Sequence, residues 1–231
     1  MPYFPKIKIC GITNLPDARF ALEQGADALG FVFYGQSKRF VEPETAKKII
    51  SELGNAGIKN TRQFLDIKKN FITVGVFANE DPEKIRNIIN DLNIDIIQLS
   101  GDESLEYICE SKFNKNSVLK AVNVRDEADI NKIYRYKDAG IKVLIETITS
   151  QGVFGGTGIP VNLDILKNID VSGLILAGGI GAENIGHIVK SFNPYGIDLS
   201  SKLEDSPGKK DNYKIALFFK NLRGALDDDA R

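Results

Sequence analysis

Short runs of apolar, mostly β-branched residues alternate with longer stretches of helical period along the whole chain. The runs predict strands at Ile7–Ile12, Ala28–Phe33, Thr73–Phe77, Ile94–Leu99, Val118–Val124, Lys142–Glu146, Gly173–Ala177 and Gly196–Leu199. The stretches that follow them predict helices near residues 15–25, 43–54, 81–92, 104–113, 127–139, 162–169, 182–192 and 211–224. Nearly every position in the runs is apolar, which suits parallel strands covered on both faces. Eight strand–helix units in 231 residues leave roughly 29 residues per unit, close to the size of a βαβ-type repeat. The expected fold class is therefore α/β, a closed (β/α)8 TIM barrel. A doubly wound open sheet is the structural rival. No GxGxxG follows the first strand, which weakens its dinucleotide-binding form.

Helix boundaries carry local signals. Asp81-Pro82-Glu83 offers an N-cap, a proline in the first turn and an acidic start, and Glu42-Pro43-Glu44 is similar. Gly25, Gly140 and Gly224 sit where helices should stop. No linker interrupts the alternation, so residues 1–231 are expected to form one domain. The segment 54–70 is longer and more polar than the other connections. It predicts a peripheral insertion with a short helix around Thr61–Lys68. Asp227–Asp229 predict a solvated, frayed end.

Composition narrows the function classes. Thirty basic against thirty-one acidic residues leave a formal charge of −1, against a strongly basic nucleic-acid binder. No apolar run approaches a membrane span, and Met1–Lys8 lacks the apolar core of a secretory signal. The expectation is a cytoplasmic protein with no nucleic-acid or membrane partner. Two cysteines, Cys10 and Cys109, and one histidine, His187, lack zinc-site spacing, so no metal is expected.

A barrel places its chemistry at the C-terminal ends of its strands. Cys10 ends the first, Arg39 follows the second and Gln98 ends the fourth. Glu146 ends the sixth, Gly178-Gly179 follow the seventh, and Asp198-Leu199-Ser200-Ser201 close the eighth. Glycines after strand 7, serines after strand 8 and the loop Gly155-Gly156-Thr157-Gly158 suggest an anion site built from backbone N–H groups and hydroxyls. Glu146 is a general-acid candidate, or else a solvated or ion-paired strand end. Arg39 suits a carboxylate, or else is a surface charge beside Lys38. Cys10 reads as a packed thiol or a reactive one, and Cys109 as core. Asp198 suits a sugar hydroxyl or a cap, and His187 reads as structural.

The motif order is more specific than any single feature. Lys8-Ile9-Cys10-Gly11-Ile12-Thr13, Gly25-Ala26-Asp27, Leu29-Gly30-Phe31-Val32-Phe33 and Ser37-Lys38-Arg39 come first. Val74-Gly75-Val76-Phe77, Gln98-Leu99-Ser100-Gly101-Asp102-Glu103, the Gly155–Gly158 loop and Leu176-Ala177-Gly178-Gly179 follow. Glu183-Asn184, Gly196–Ser201 and Ser206-Pro207-Gly208-Lys209-Lys210-Asp211 complete the series. Together they resemble the phosphoribosylanthranilate isomerase family of tryptophan biosynthesis over essentially the whole chain.

The resemblance implies a cofactor-free Amadori rearrangement of N-(5-phosphoribosyl)anthranilate to 1-(2-carboxyphenylamino)-1-deoxyribulose 5-phosphate. It implies Cys10 as general base, Glu146 as general acid, Arg39 at the anthranilate carboxylate, Gln98 as a further substrate contact, and Asp198 at the ribose hydroxyls. Gly156, Gly158, Gly178, Gly179, Ser200 and Ser201 would form the phosphate cradle, in a monomer or homodimer. The chain departs from the family pattern in three places. Glu146 stands where the family usually has Asp. Ser100 replaces a histidine, and Val161-Asn162-Leu163 replaces an FDW segment. These departures motivate an alternative, a phosphate-binding barrel with weak or lost activity. A related isomerase acting on the aminoimidazole substrate of histidine biosynthesis fits less well, because that chemistry usually uses two aspartates and strand 1 here ends in Cys10.

Overall fold

The computed structural model describes residues 4–55, 64–67, 69–147, 167 and 169–228. Eight parallel strands close into a barrel in sequence order. They are β1 (Lys6–Cys10), β2 (Ala28–Val32), β3 (Ile72–Phe77), β4 (Ile96–Leu99), β5 (Val118–Val124), β6 (Lys142–Thr147), β7 (Ile175–Ala177) and β8 (Gly196–Leu199). β1 pairs with both β2 and β8, which closes the ring. The described helices are α1 (Leu15–Gln24), α2 (Pro43–Asn55), α3 (Pro82–Leu92), α4 (Leu105–Glu110), α5 (Glu127–Asp138), α6 (Ile185–Phe192) and α7 (Asn212–Asp228). A short hairpin, β9 (Glu204–Ser206) and β10 (Lys209–Lys210), precedes α7. No helix among the described residues is long and apolar enough to cross a membrane.

The unbroken apolar strands serve two cores. All six residues of β3 are buried. Ile72, Val74 and Val76 point inward with Ala28, Val32, Ile96, Leu119, Ala121, Leu144, Ile175 and Ala177. Phe77 faces outward and joins Leu29, Phe31, Ile97, Leu99, Val143 and Ile145 beneath the helices. The period-2 signal survives in space but vanishes from the hydropathy pattern, because both faces are dry.

Element ends have local causes. Asn14 caps α1 by accepting from the Asp17 N–H at 2.9 Å, and Gly25 ends that helix in the left-handed region. Asp81 caps α3 through the N–H groups of Glu83 and Lys84. β4 starts two residues later than the apolar run predicts. The Asp95 carboxylate there accepts from Thr73, both N–H at 3.0 Å and hydroxyl at 2.9 Å.

Three expectations are corrected. Gly224 does not stop α7, which continues to Asp228. Ile215, Phe218, Phe219 and Leu222 are wholly buried and hold that helix through the roughly 1 kcal/mol cost of an interior glycine. Cys109 is exposed rather than core, because α4 is short and turns Ile108 inward instead. In the 54–70 segment, Phe64–Ile67 form a tight turn closed by an antiparallel bridge, not a helix. Phe64 and Leu65 are buried against the barrel interior, and the Leu65 N–H donates to the Tyr195 hydroxyl at 2.7 Å. This part of the segment is therefore not peripheral. The rest of it, and the helix predicted at 162–169 apart from Lys167 and Ile169, lie outside the described residues.

Candidate active site

The C-terminal ends of the strands surround a cleft of about 740 Å³. Cys10, Arg39, Gln98, Glu146, Gly178, Gly179, Asp198, Ser200 and Ser201 all line it. The sequence-predicted Gly156 and Gly158, and the Val161-Asn162-Leu163 departure, lie outside the described residues.

Cys10 is the last residue of β1, directly opposite Gly30 on β2. A Cβ at Gly30 would lie 2.8 Å from the Cys10 sulfur and 3.1 Å from Lys8 Cε, so the missing side chain makes room for both. Lys8 lies two residues earlier on the same inward face and is wholly buried. Its Nζ donates to both carboxylate oxygens of Asp198 at 2.9 Å across the β1–β8 seam. Burial opposes the Lys8 charge, but Asp198 and Cys10 together outweigh it and hold the ammonium above its ordinary range. Asp198 therefore has a partner that the sequence reading did not foresee. Its carboxylate lines the cleft.

A second buried group sits beside Cys10. Arg39 donates from Nε and Nη2 to the two oxygens of Glu204, at 2.8 and 2.6 Å. Lys210 Nζ donates to the same carboxylate at 2.8 Å and to the Cys10 carbonyl at 2.6 Å. That carbonyl also accepts from the Ser200 hydroxyl at 3.1 Å, so the Ser200 proton is committed to β1. Gly11, in the left-handed region, leaves space for the Arg39 stem, which a Cβ would meet at 2.6 Å. Burial pushes the Cys10 thiol up. The Lys8 and Lys210 charges pull it back, and the Asp198 charge adds to the rise. Burial likewise favours the neutral acid of Glu204, but its bonds to Arg39 and Lys210 prevail and hold it below the usual carboxylate range.

The remaining positions suit ligand contacts. The Gln98 amide donates to Ser100 Oγ at 3.1 Å, while its carbonyl oxygen is buried with no hydrogen-bond partner. Gly178 and Gly179 both adopt positive φ, and Asn184 ties the turn by accepting from Gly181 N–H and donating to Gly179 O, each at 2.9 Å. Glu146, on β6, pairs in register with Ala177. Among the described residues no group of three or more His, Cys, Asp or Glu is placed to hold a metal ion.

Sequence reasoning missed Lys8, Lys210 and Glu204. Lys8 left a signal, a lone lysine in an apolar strand at i−2 from Cys10 and so on the same face. Glu204 left none, because its partner Arg39 is 165 residues away.

The family model for N-(5'-phosphoribosyl)anthranilate isomerase matches residues 7–221. The N-(5'-phosphoribosyl)anthranilate isomerase of Thermotoga maritima is 38% identical over 221 residues, covering 95% of this chain and 98% of that protein. That of Pelobacter propionicus is 37% identical over 227 residues, covering 98% and 99%. The crystal structure of phosphoribosyl anthranilate isomerase from Thermotoga maritima superposes with a TM-score of 0.80 at 35% identity, over 96% of this chain and all of that one. A phosphoribosyl anthranilate isomerase in complex with reduced 1-(o-carboxyphenylamino)-1-deoxyribulose 5-phosphate superposes at 0.74 and 34% identity, over 96% of this chain and all of that one. With relatives of this identity matched nearly end to end, the chain belongs to the N-(5'-phosphoribosyl)anthranilate isomerase family.

Proposed function

We propose that this chain, a phosphoribosylanthranilate isomerase of tryptophan biosynthesis, uses Cys10 as its general base and Glu146 as its general acid. The observation that carries the reading is their shared cleft, with Arg39 and a glycine turn also lining it. Glu146 donates its proton to the ribose ring oxygen as the C1–O bond breaks, and the nitrogen lone pair forms a C1=N iminium. Cys10, as thiolate, removes the C2 proton. The C2–H electrons form a C1=C2 bond and the iminium electrons return to nitrogen. Loss of the C2 hydroxyl proton and protonation at C1 then give the amino ketone.

Arg39 keeps its Nη1 edge free of Glu204 and takes the anthranilate carboxylate, a pairing that suits a planar guanidinium. The orphan Gln98 carbonyl accepts from the substrate on the same side. Asp198 accepts from the ribose hydroxyls. Gly178, Gly179 and Ser201, together with Gly156 and Gly158, hold the phosphate, and Ser200 contributes its hydroxyl oxygen environment. Charged grips on both ends of the substrate keep the reacting atoms in register. The protein acts as one domain in the cytoplasm, as a monomer or a homodimer. A relative from Thermotoga maritima, itself dimeric, has also been solved as monomers generated from it.

The test is loss of anthranilate-type fluorescence from freshly made phosphoribosylanthranilate on adding purified protein. Cys10→Ala and Glu146→Gln should each slow turnover by about 10²–10⁴-fold, the usual contribution of a general acid or base. Decay no faster than in buffer rejects the activity. Wild-type turnover in either variant rejects that residue's role.

A further inference from the structure

We propose that Lys8 is a positioning residue of this site: its ammonium, fixed inside the barrel by Asp198, favours the proton-free form of Cys10 that the base requires. The inference rests on the reading of Cys10 as base and deepens it. Lys8 has no exposed surface. Two of its three N–H donors bond the Asp198 oxygens at 2.9 Å, which leaves the third for the Cys10 sulfur beside it. Geometry brings the two groups together from both sides. β1 presents Lys8 and Cys10 on one face, two residues apart, and Gly30 opposite them supplies the space in which Lys8 Cε and Cys10 Sγ lie together.

Two further cations stand near the thiol. Lys210 on β10 bonds the Cys10 carbonyl, and Arg39 after β2 also faces the thiol electrostatically. Against these three cations stand Asp198 on β8 and Glu204 on β9, with Glu146 on β6 lining the same cleft. Glu204 is spent on Arg39 and Lys210, and Asp198 is spent on Lys8. A thiolate at Cys10 is the anion that the third Lys8 donor lacks. Burial pushes the thiol up, and Lys8 is the largest influence that opposes it.

The experiment reads thiolate directly, without turnover. The ultraviolet absorbance of the Cys10 thiolate is titrated against pH in a Cys109→Ser background, with Cys10→Ala/Cys109→Ser subtracted. Lys8→Met should move the midpoint to higher pH and cut the thiolate fraction at neutral pH by about tenfold or more, the effect of losing an opposite charge in contact. Asp198→Asn should move it the other way, because it removes a competing anion and leaves the lysine. If Lys8→Met yields too little folded protein, Lys8→Met/Asp198→Asn removes both charges together, and its midpoint should lie above that of Asp198→Asn. A midpoint indifferent to Lys8, or shifted in the same direction by Lys8→Met and Asp198→Asn, overturns the proposal. Failure of the underlying reading looks different: Cys10→Ala would then keep its turnover, whatever the titration showed.

Discussion

Gly30→Ala is the smallest change that should displace the Cys10 sulfur in this barrel. The new methyl would sit 2.8 Å from the Cys10 sulfur, 3.1 Å from Cys10 Cα and 3.1 Å from Lys8 Cε, where ordinary contact begins at 3.4 Å. The backbone of β1 cannot retreat freely, because Cys10 and Gly30 are register partners in the closed ring. Gly30 is not among the glycines at positive φ, so alanine meets no backbone strain there, only crowding. The sulfur must therefore give by about 0.6 Å, and Lys8 by about half that. Overpacking of this kind costs about 1–3 kcal/mol of stability. A misplacement near 1 Å costs catalysis about 10²-fold, so a loss of kcat between about tenfold and a hundredfold is expected. Fluorescence decay at saturating substrate gives kcat, and circular dichroism melting gives the stability. The telling result is a folded protein with an unchanged melting midpoint and wild-type kcat. It would mean that the sulfur's position across from Gly30 is immaterial to the reaction.

Two further outcomes follow from the same cluster. Glu204→Gln removes the anion shared by Arg39 and Lys210 and leaves Lys210 buried without its counter-charge, at a cost of about 3–5 kcal/mol. Thermal melting should show the loss. The Glu204 contribution is present above the ordinary carboxylate value of 4.5 and disappears as pH falls through its depressed range, so the variant should also lack that acid step. A melting midpoint unchanged at neutral pH would refute the assigned role. For activity, a thiol pushed up by burial is protonated below its midpoint and active above it, so kcat/KM should climb from neutral into alkaline pH. A flat profile across that range would remove Cys10 as the base.

The barrel was legible because each strand run and each helical stretch agreed with its neighbours in length and order. Boundaries moved where a side chain intervened, as Asp95 did at the start of β4. The turn at Phe64–Ile67 escaped because its polar flanks hid two apolar residues that pack into the barrel. At the site, residues at strand ends were readable one by one, but their partners were not. Lys120 shows why a buried lysine alone is ambiguous. It also interrupts an apolar strand, yet it faces outward from the barrel interior and binds the Leu99 and Gly101 carbonyls and Glu103, which pins the loop after β4. Only the face on which each lysine lies, set by its distance in sequence from an inward neighbour, distinguishes the tether from the residue beside the thiol.

That difference bears on why the Lys8–Asp198 pair exists at all. Elsewhere the interior of the same barrel is filled by Ala28, Ile72, Ile96 and Leu119, so apolar side chains can line it. Replacing a buried ion pair by apolar groups of similar volume is often neutral or stabilising, while removing one partner costs about 3–5 kcal/mol. Stability therefore gives no reason for a lysine and an aspartate here. Chemistry does, because Asp198 lines the cleft and Lys8 sits beside the Cys10 sulfur that also lines it. On this argument fold and function part company in the Lys8→Met/Asp198→Asn variant. It should melt close to wild type while its thiol ionises at a pH above that of Asp198→Asn. Joint loss of the fold would return the pair to a structural role.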